Sequence, residues 1–363
     1  MDATLPTLTR TLDDDFVNTW YEIKAAVEDN IMESNVVWLA LREFGCMFPQ
    51  VGGEYFTETV GYGKKNTQRF VKGTVLDQNE TEIDTMARWD WAYFLVDINR
   101  SLTDDQKNQG PSKIKSYVAR RLEVAKESVS QDIETMIHQY GTWDTLAQPK
   151  GLFDVCAPYA AITVGTSGGT GSNGDAYNSG TNNGNINRSN TWWRNWSGTS
   201  ASTESRTNKI LAGTAPFDLN IRKDMSHIYN MITNGQASPN FILASQNLYE
   251  AYEDEVADRH QIVRTAFDRM AADLGFETLT FKGATFTYTN KLEVATNQPS
   301  LGNEMMFLNL DYIKYVYDPT VWFDMTEWRV GTNAMERVAY IVCTAIGMTT
   351  QQPRRHGYFH WVS

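Results

Sequence analysis

Apolar and polar positions alternate with different periods along the chain, and the longest coherent stretch is Pro111 to Gly141. Ile114, Val118, Ala125, Val129, Ile133, Met136 and Tyr140 recur three, four or seven apart, which makes one stripe on an α-helix. Pro111 falls where a first-turn proline costs no hydrogen bond, and Gly141 falls where a left-handed cap would end the helix. At 1.5 Å per residue the pattern predicts a strut roughly 45 Å long, about the width of a compact domain.

Upstream the helical period is shorter-lived. A capping-box-like Thr11-Leu12-Asp13-Asp14 precedes Phe16, Trp20, Ile23 and Val27, and a second helical run covers Val36 to Phe44 before Gly45 and Pro49. These two runs form either an ordinary helical hairpin or an arm that packs on a neighbouring subunit. From Val51 to Ile98 the period becomes two. Tyr55 to Val60 is predicted as an outgoing strand bent at Gly61-Tyr62-Gly63. Arg88 to Ile98 is predicted as the returning one, with Trp89, Trp91, Tyr93 and Leu95 on its core-facing side. Between them lie a basic limb, Lys64, Lys65, Arg69 and Lys72, and an acidic limb, Asp77, Glu80, Glu82 and Asp84. A two-stranded ribbon this polar is marginal in water. It lies either solvated on its own surface or across an adjacent molecule.

Beyond the strut, the apolar run Ala160 to Val164 predicts a strand, and residues 165–205 form a low-complexity insert in which 30 of 41 residues are Gly, Ser, Thr or Asn. Such a composition builds no core of its own, so it predicts a long surface loop pinned by Trp192, Trp193 and Trp196. Helical spacing returns at Phe217, Ile221, Met225, Ile228 and Ile232. It is followed by a strand at Phe241 to Ala244, a helix capped by Ser245 and carrying Leu248, Tyr252 and Val256, and a helix from Ile262 to Leu274. Lys282-Gly283 turns a hairpin, Met305 to Met325 is rich in strand signals, and Val338 to Ile346 and Tyr358 to Val362 predict strands of a buried sheet.

Composition narrows the function classes. With 41% hydrophobic and 12% aromatic residues in 363, the chain is globular and large enough for two or three folding units. No run of eighteen apolar residues predicts a membrane span, and Met1 to Asp15 lacks the basic-then-apolar order of a secretory signal, pointing to a soluble chain made in the cytoplasm. A formal charge of -12 without a basic cluster argues against tight phosphate-neutralising contact with nucleic acid. Cys46, Cys156 and Cys343 lack any paired spacing and read as small buried hydrophobes.

Catalytic and cofactor patterns are not met. Gly165-Thr166-Ser167-Gly168-Gly169 has the spacing of a nucleophile elbow, but no helix-forming sequence follows it, and no Gly-Lys-Ser/Thr completes a phosphate loop. His138, His227, His260, His356 and His360 are scattered and read as strand-end or surface histidines, without metal-ligand spacing. Trp192, Trp193 and Trp196 could stack on sugar rings or anchor the loop in a subunit interface; buried aromatics dominate interface energetics, which favours the second reading.

Four stretches carry a family resemblance. They are Gly52-Gly53-Glu54-Tyr55 with Tyr62-Gly63-Lys64; Trp89 and Trp91 before the long helix; Asn240 to Tyr252; and Leu274 to Thr289 followed by Met306-Phe307-Leu308-Asn309. In order and spacing the chain resembles the major capsid (coat) proteins of tailed bacteriophages, the family with the HK97-type fold. The resemblance implies an α+β coat fold. It comprises an N-terminal arm (1–50), an extended β-hairpin loop (51–96), a peripheral domain (97–206) with a spine helix (111–141), an axial domain (207–330) and return strands of the peripheral domain (331–363).

The implied function is structural, not enzymatic: many copies, as pentamers and hexamers, build an icosahedral head enclosing double-stranded DNA without sequence-specific binding. The implied location is the virion, after assembly in the host cytoplasm. A separate scaffolding protein, a portal and a decoration protein are the implied partners; no cofactor, metal or membrane is. Within this reading Lys64, Lys65, Arg69, Lys72, Asp77, Glu80 and Glu82 are the expected inter-subunit contacts of the extended loop, with Trp192, Trp193 and Trp196 as interface anchors. The alternatives are an encapsulin-like nanocompartment shell and a glycan-binding phage fibre or lectin-like module.

Overall fold

The computed structural model describes residues 35–65, 67–73, 75, 82–101, 111–139, 141, 148–156, 182–187, 190–199, 221–257, 278–289, 291–294, 304–330 and 336–360. The described residues open with α1 (Val36–Glu43), whose first amides are capped by Asn35: its Oδ1 accepts from Val37 and Trp38 N–H at 2.8 and 3.3 Å. β1 (Met47–Pro49), β2 (Phe56–Gly61), β3 (Asp84–Trp89) and β4 (Ala92–Ser101) follow, then the long helix α2 (Pro111–Ile137) and a single helical turn, α3 (Leu152–Val155). At 27 residues α2 is roughly 40 Å long, as the apolar stripe predicts, and Ala125, Val129, Ile133 and Ile137 are its buried face.

The second half carries β5 (Asn182–Asn183), β6 (Ile186–Asn187), β7 (Trp196–Thr199), α4 (Ile221–Ile232), β8 (Phe241–Ala244), α5 (Gln246–Ala257), β9 (Thr278–Phe281), β10 (Ala284–Tyr288) and α6 (Lys291–Val294). It closes with β11 (Glu304–Leu308), β12 (Ile313–Tyr317), β13 (Asp324–Met325), β14 (Arg329–Val330), β15 (Glu336–Thr350) and β16 (Gly357–His360).

Two sheets organise these elements. In the first, the fifteen-residue β15 is the axis: β12, β13 and β14 pair in turn along one edge, and β4 pairs along the other from Ala92↔Ala345 to Ser101↔Glu336. β1 adds parallel to β12. Gly347, at φ +92°, lies beside the bulge opposite Val316/Tyr317 and lets the backbone of Lys150 close in, with Lys150 N–H bonded to Ile346 O at 2.8 Å and Met348 N–H to Lys150 O at 2.7 Å.

The second sheet runs β7-β16-β11-β8-β10-β9. Its central strands are buried on both faces, which is why Phe241–Ala244 and Glu304–Leu308 read as nearly continuous apolar runs. Phe241, Leu243, Met306, Leu308 and Tyr358 join the core that also holds α1, α2 and the first sheet. Ile242, Ala244, Met305, Phe307 and Phe359 face α4 and α5 instead. The Lys282-Gly283 hairpin forms where the sequence places it, both residues having positive φ (50° and 87°) as a two-residue turn of this hand requires.

Several expectations are revised. Trp89, Trp91, Tyr93 and Leu95 do not share a core-facing side: Asp90 and Trp91 interrupt the strand between β3 and β4 and the phase inverts. In β4 Ala92 and Ile98 are buried, whereas Tyr93 and Leu95 are exposed. Ser245 occupies the N-cap position of α5, but its buried Oγ makes no hydrogen bond; its backbone engages instead, the carbonyl accepting from Tyr249 N–H at 3.1 Å and the N–H donating to Glu304 O at 2.8 Å. His138 and His356 are core residues, not surface ones. His138 Nδ1 meets Glu134 O at 2.7 Å and His356 bridges Thr350 and Asn309. All three cysteines are buried and free, as expected. The helices read at Phe16–Val27 and Ile262–Leu274, and the strand at Ala160–Val164, lie outside the described residues.

Candidate assembly surface

Among the described residues, the hairpin β2–β3 packs on the first sheet of its own molecule. In register Phe56↔Trp89 to Gly61↔Asp84, alternation turns Phe56, Glu58 and Val60 inward with Ala87 and Trp89. The apolar members meet Val316 and Ile346 on the outer face of the first sheet, together with Ile186 and Trp193. Glu58 lies at a position the pattern reserves for an apolar residue, and it is held there by Lys314 Nζ at 2.6 Å and Gln351 Nε2 at 3.1 Å. Gly52 and Gly53, at φ +62° and +102°, make the turn into the root, and Trp91 Nε1 donates to Gly53 O at 2.8 Å. The sequence contained one signal for this site that was not used, a carboxylate in the inward phase of an alternating strand.

The Gly/Ser/Asn-rich insert supplies a clasp on that root. β5 and β6 form a small hairpin turned at Gly184-Asn185, both at positive φ. Gly184 O accepts from Arg88 N–H at 2.8 Å, Asn183 Oδ1 accepts from Trp89 Nε1 at 2.9 Å, and Asn183 O accepts from Trp193 Nε1 at 2.8 Å. Trp193 is fully buried here, Trp196 is buried against the α4 side of the second sheet, and Trp192 is half-buried and stacked on Tyr62 with ring centroids 4.4 Å apart. Trp193 and Trp196 therefore anchor the insert to its own chain. Trp192 and Tyr62 remain partly exposed.

Beyond Gly63, the described residues up to Val75 are mostly exposed. Lys64, Lys65, Arg69 and Lys72 are exposed, interleaved with Phe70, Val71 and Val75, which are 70%, 77% and 93% exposed. Glu82 is exposed and accepts from the Tyr62 hydroxyl at 3.3 Å. Asp77 and Glu80 lie outside the described residues. The basic residues and their apolar neighbours thus share one exposed segment.

A complementary surface lies on the first sheet. Residues directly opposite in an antiparallel pair share a face, so Tyr93 goes with Thr344, Leu95 with Val342 and Asp324, and Asp97 with Tyr340. This is the same outer face whose other end, at Val316 and Ile346, is covered by the hairpin root. Here it is open: Tyr93 and Leu95 are 69% and 57% exposed, and Asp97 and Asp324 flank them. Among the described residues no group of three or more His, Cys, Asp or Glu is placed to hold a metal ion, and no helix is long and apolar enough to cross a membrane.

No protein-family model and no curated protein matches the chain. Solved structures do. The capsid of Myoviridae phage XM1 aligns with a TM-score of 0.52 and 7% identity over 89% of this chain and 92% of that one; the capsid of the native GTA particle aligns at 0.50 and 9% over 100% and 94%. The SrpI encapsulin complex of Synechococcus elongatus aligns at 0.46 and 9% over 86% and 84%, a score on which no argument rests. The chain therefore has the mixed helix-and-sheet architecture of phage capsid proteins, the HK97-type fold that its sequence resembles.

Proposed function

We propose that this chain is the major shell subunit of a tailed-phage head, self-assembling as pentamers and hexamers into an icosahedral particle that encloses double-stranded DNA. The role is structural. In this reading α2 is the spine of the peripheral domain, together with the first sheet and the return strand β15; the second sheet with α4 and α5 is the axial domain; and the arm expected at 1–50 shortens to the residues before Asn35, because α1 and β1 are built into the core and the first sheet. The observation that carries it is an exposed segment, basic and apolar, on a molecule whose outer sheet face is half covered by its own hairpin and half open, apolar and acidic.

The ribbon of one copy would lie on the open half of the next. Lys64, Lys65, Arg69 and Lys72 would then meet Asp97 and Asp324, which sets register more than it adds affinity. An exposed apolar patch bordered by charge is the usual mark of such a surface. The acidic balance of the chain suits a wall that must not hold its contents tightly. Fold likeness alone leaves a nanocompartment shell as the second reading, and the packaged material separates the two.

Charge reversal tests the contact. Lys64→Glu/Lys65→Glu/Arg69→Glu is expected to abolish particles in electron micrographs while leaving soluble folded subunits. Adding Asp97→Lys/Asp324→Lys is expected to restore them. Particles at normal yield from the first variant would overturn the contact.

A further inference from the structure

Twice the chain passes from one sheet to the other within a few residues, between β11 and β12 and again between β15 and β16. The two passages lie side by side, because Ile313↔Thr350 closes the β12–β15 ladder and Phe307↔Gly357 closes the β11–β16 ladder. Each contains one 3-10 turn, Leu310–Tyr312 and Pro353–Arg355. Backbone groups that leave a ladder inside the molecule need other partners. Here the fully buried side chains of Asn309, Thr350 and His356 supply them.

Asn309 N–H meets His356 Nδ1 at 3.3 Å, and His356 Nε2 meets Thr350 Oγ1 at 3.1 Å. A backbone N–H can only donate, so Nδ1 carries a lone pair and Nε2 carries the ring proton. Thr350 Oγ1 also accepts from Gln352 N–H at 3.2 Å, and Asn309 Oδ1 accepts from Asp311 N–H at 3.2 Å. The His356 ring thus joins the two passages, and it can do so only when neutral. A second proton would sit on Nδ1 and face the Asn309 N–H, donor against donor, in a place closed to solvent. Charges on the elements packed around the ring do not invite it. Arg354 and Arg355 stand on its own turn, Arg194 two residues before Trp196, whose N–H bonds to His356 O at 3.0 Å, and Lys314 next to Ile313; against them stand Asp311 on the facing turn and Glu304 at the far end of β11. Lys314 is matched by Glu58, and Arg355 is turned to Asn234 O at 3.1 Å.

We propose that His356 is an acid-sensitive pin: neutral, it holds the two passages together, and its protonation opens this crossing while both sheets stay paired. Such local opening, short of unfolding, is available wherever a few buried hydrogen bonds close a segment without regular structure. The pin belongs to the single subunit and stands whether or not the shell reading does.

The test is hydrogen exchange read by mass spectrometry on unassembled full-length subunits at pH 7 and pH 5, with protection taken relative to the intrinsic rate at each pH. If the closed crossing takes no proton and the opened one titrates as an ordinary histidine near pH 6.5, opening is favoured about twentyfold more at pH 5 than at pH 7. Protection of peptides covering 308–312 and 351–356 is therefore expected to fall at least about fivefold, while that of Phe241–Ala244 stays constant. A smaller fall, or an equal fall in both places, would overturn the proposal. His356→Asn keeps an acceptor for the Asn309 N–H and has no proton to gain, so its fall is expected to shrink below about twofold. A fall as large as in the unmodified chain would assign the effect to another group, His138 among them, and overturn the pin. The first comparison uses no variant, so it decides the matter even where His356→Asn fails to fold.

Discussion

Glu58 occupies an inward position of β2 between Phe56 and Val60, where a carboxylate is tolerable only if a cation accompanies it. Lys314 is that cation, and its half-exposed side chain tempers what the pair contributes. Lys314→Met should cost about 2 kcal/mol, since it strands a buried charge, and Glu58→Gln in the same background should recover part of it; urea unfolding of unassembled subunits measures both. Glu304 is a different case. Burial raises its carboxyl from 4.5 to about 8, with the Tyr358 hydroxyl pulling the other way. A raised carboxyl favours the protonated fold, so its contribution is full below pH 4.5 and is lost as pH climbs to about 8. His138 runs oppositely: burial lowers it from 6.5 to about 4, so its contribution is full above 6.5 and is lost on acidification. Between pH 6.5 and 8 Glu304 is the member of this pair that titrates. Glu304→Gln should abolish about 1–2 kcal/mol of the stability lost across that window, read from unfolding midpoints at pH 6.5 and 8.

At the scale of elements, the clasp β5–β6 and the ribbon root form one unit. A Cβ on Gly184 would sit 2.8 Å from the Trp89 ring at φ +59°, so Gly184→Val combines a clash with backbone strain. The variant should lose about 2–3 kcal/mol, and limited proteolysis should cut its ribbon several-fold faster while the second sheet stays protected. The clasp was illegible in the sequence because Gly, Ser and Asn also describe a bare loop, and the partners that make β7 a strand are about 160 residues away in β16. The long helix, the Phe241–Ala244 strand and the Lys282-Gly283 turn were legible because each states its structure locally, through period, run length or turn chemistry. The β3–β4 stretch misled for a physical reason. Its odd positions stay aromatic or aliphatic from Trp89 to Leu95, while the two-residue break at Asp90-Trp91 swaps which phase is inside. The open outer face is the other side of that inversion, for Tyr93 and Leu95 are the apolar residues the core did not take.

For the whole molecule, the proposed function makes the subunit a piece whose exposed basic segment and outer face would find partners on other copies. Each contact can be modest, because a subunit held at several places is released only when all of them break at once. That is also why an HK97-type fold can persist at 7–9% identity to solved capsids: it constrains two sheets and a long helix, leaving the surface chemistry to vary. The most direct measurement is electron microscopy of the purified full chain expressed with the scaffolding and packaging proteins that the proposed function calls for, combined with the absorbance ratio of the particles at 260 and 280 nm. The account predicts closed megadalton shells with a nucleic-acid-dominated spectrum. Small soluble oligomers under those conditions would contradict it, and closed shells filled with protein and free of nucleic acid would contradict the genome-enclosing role.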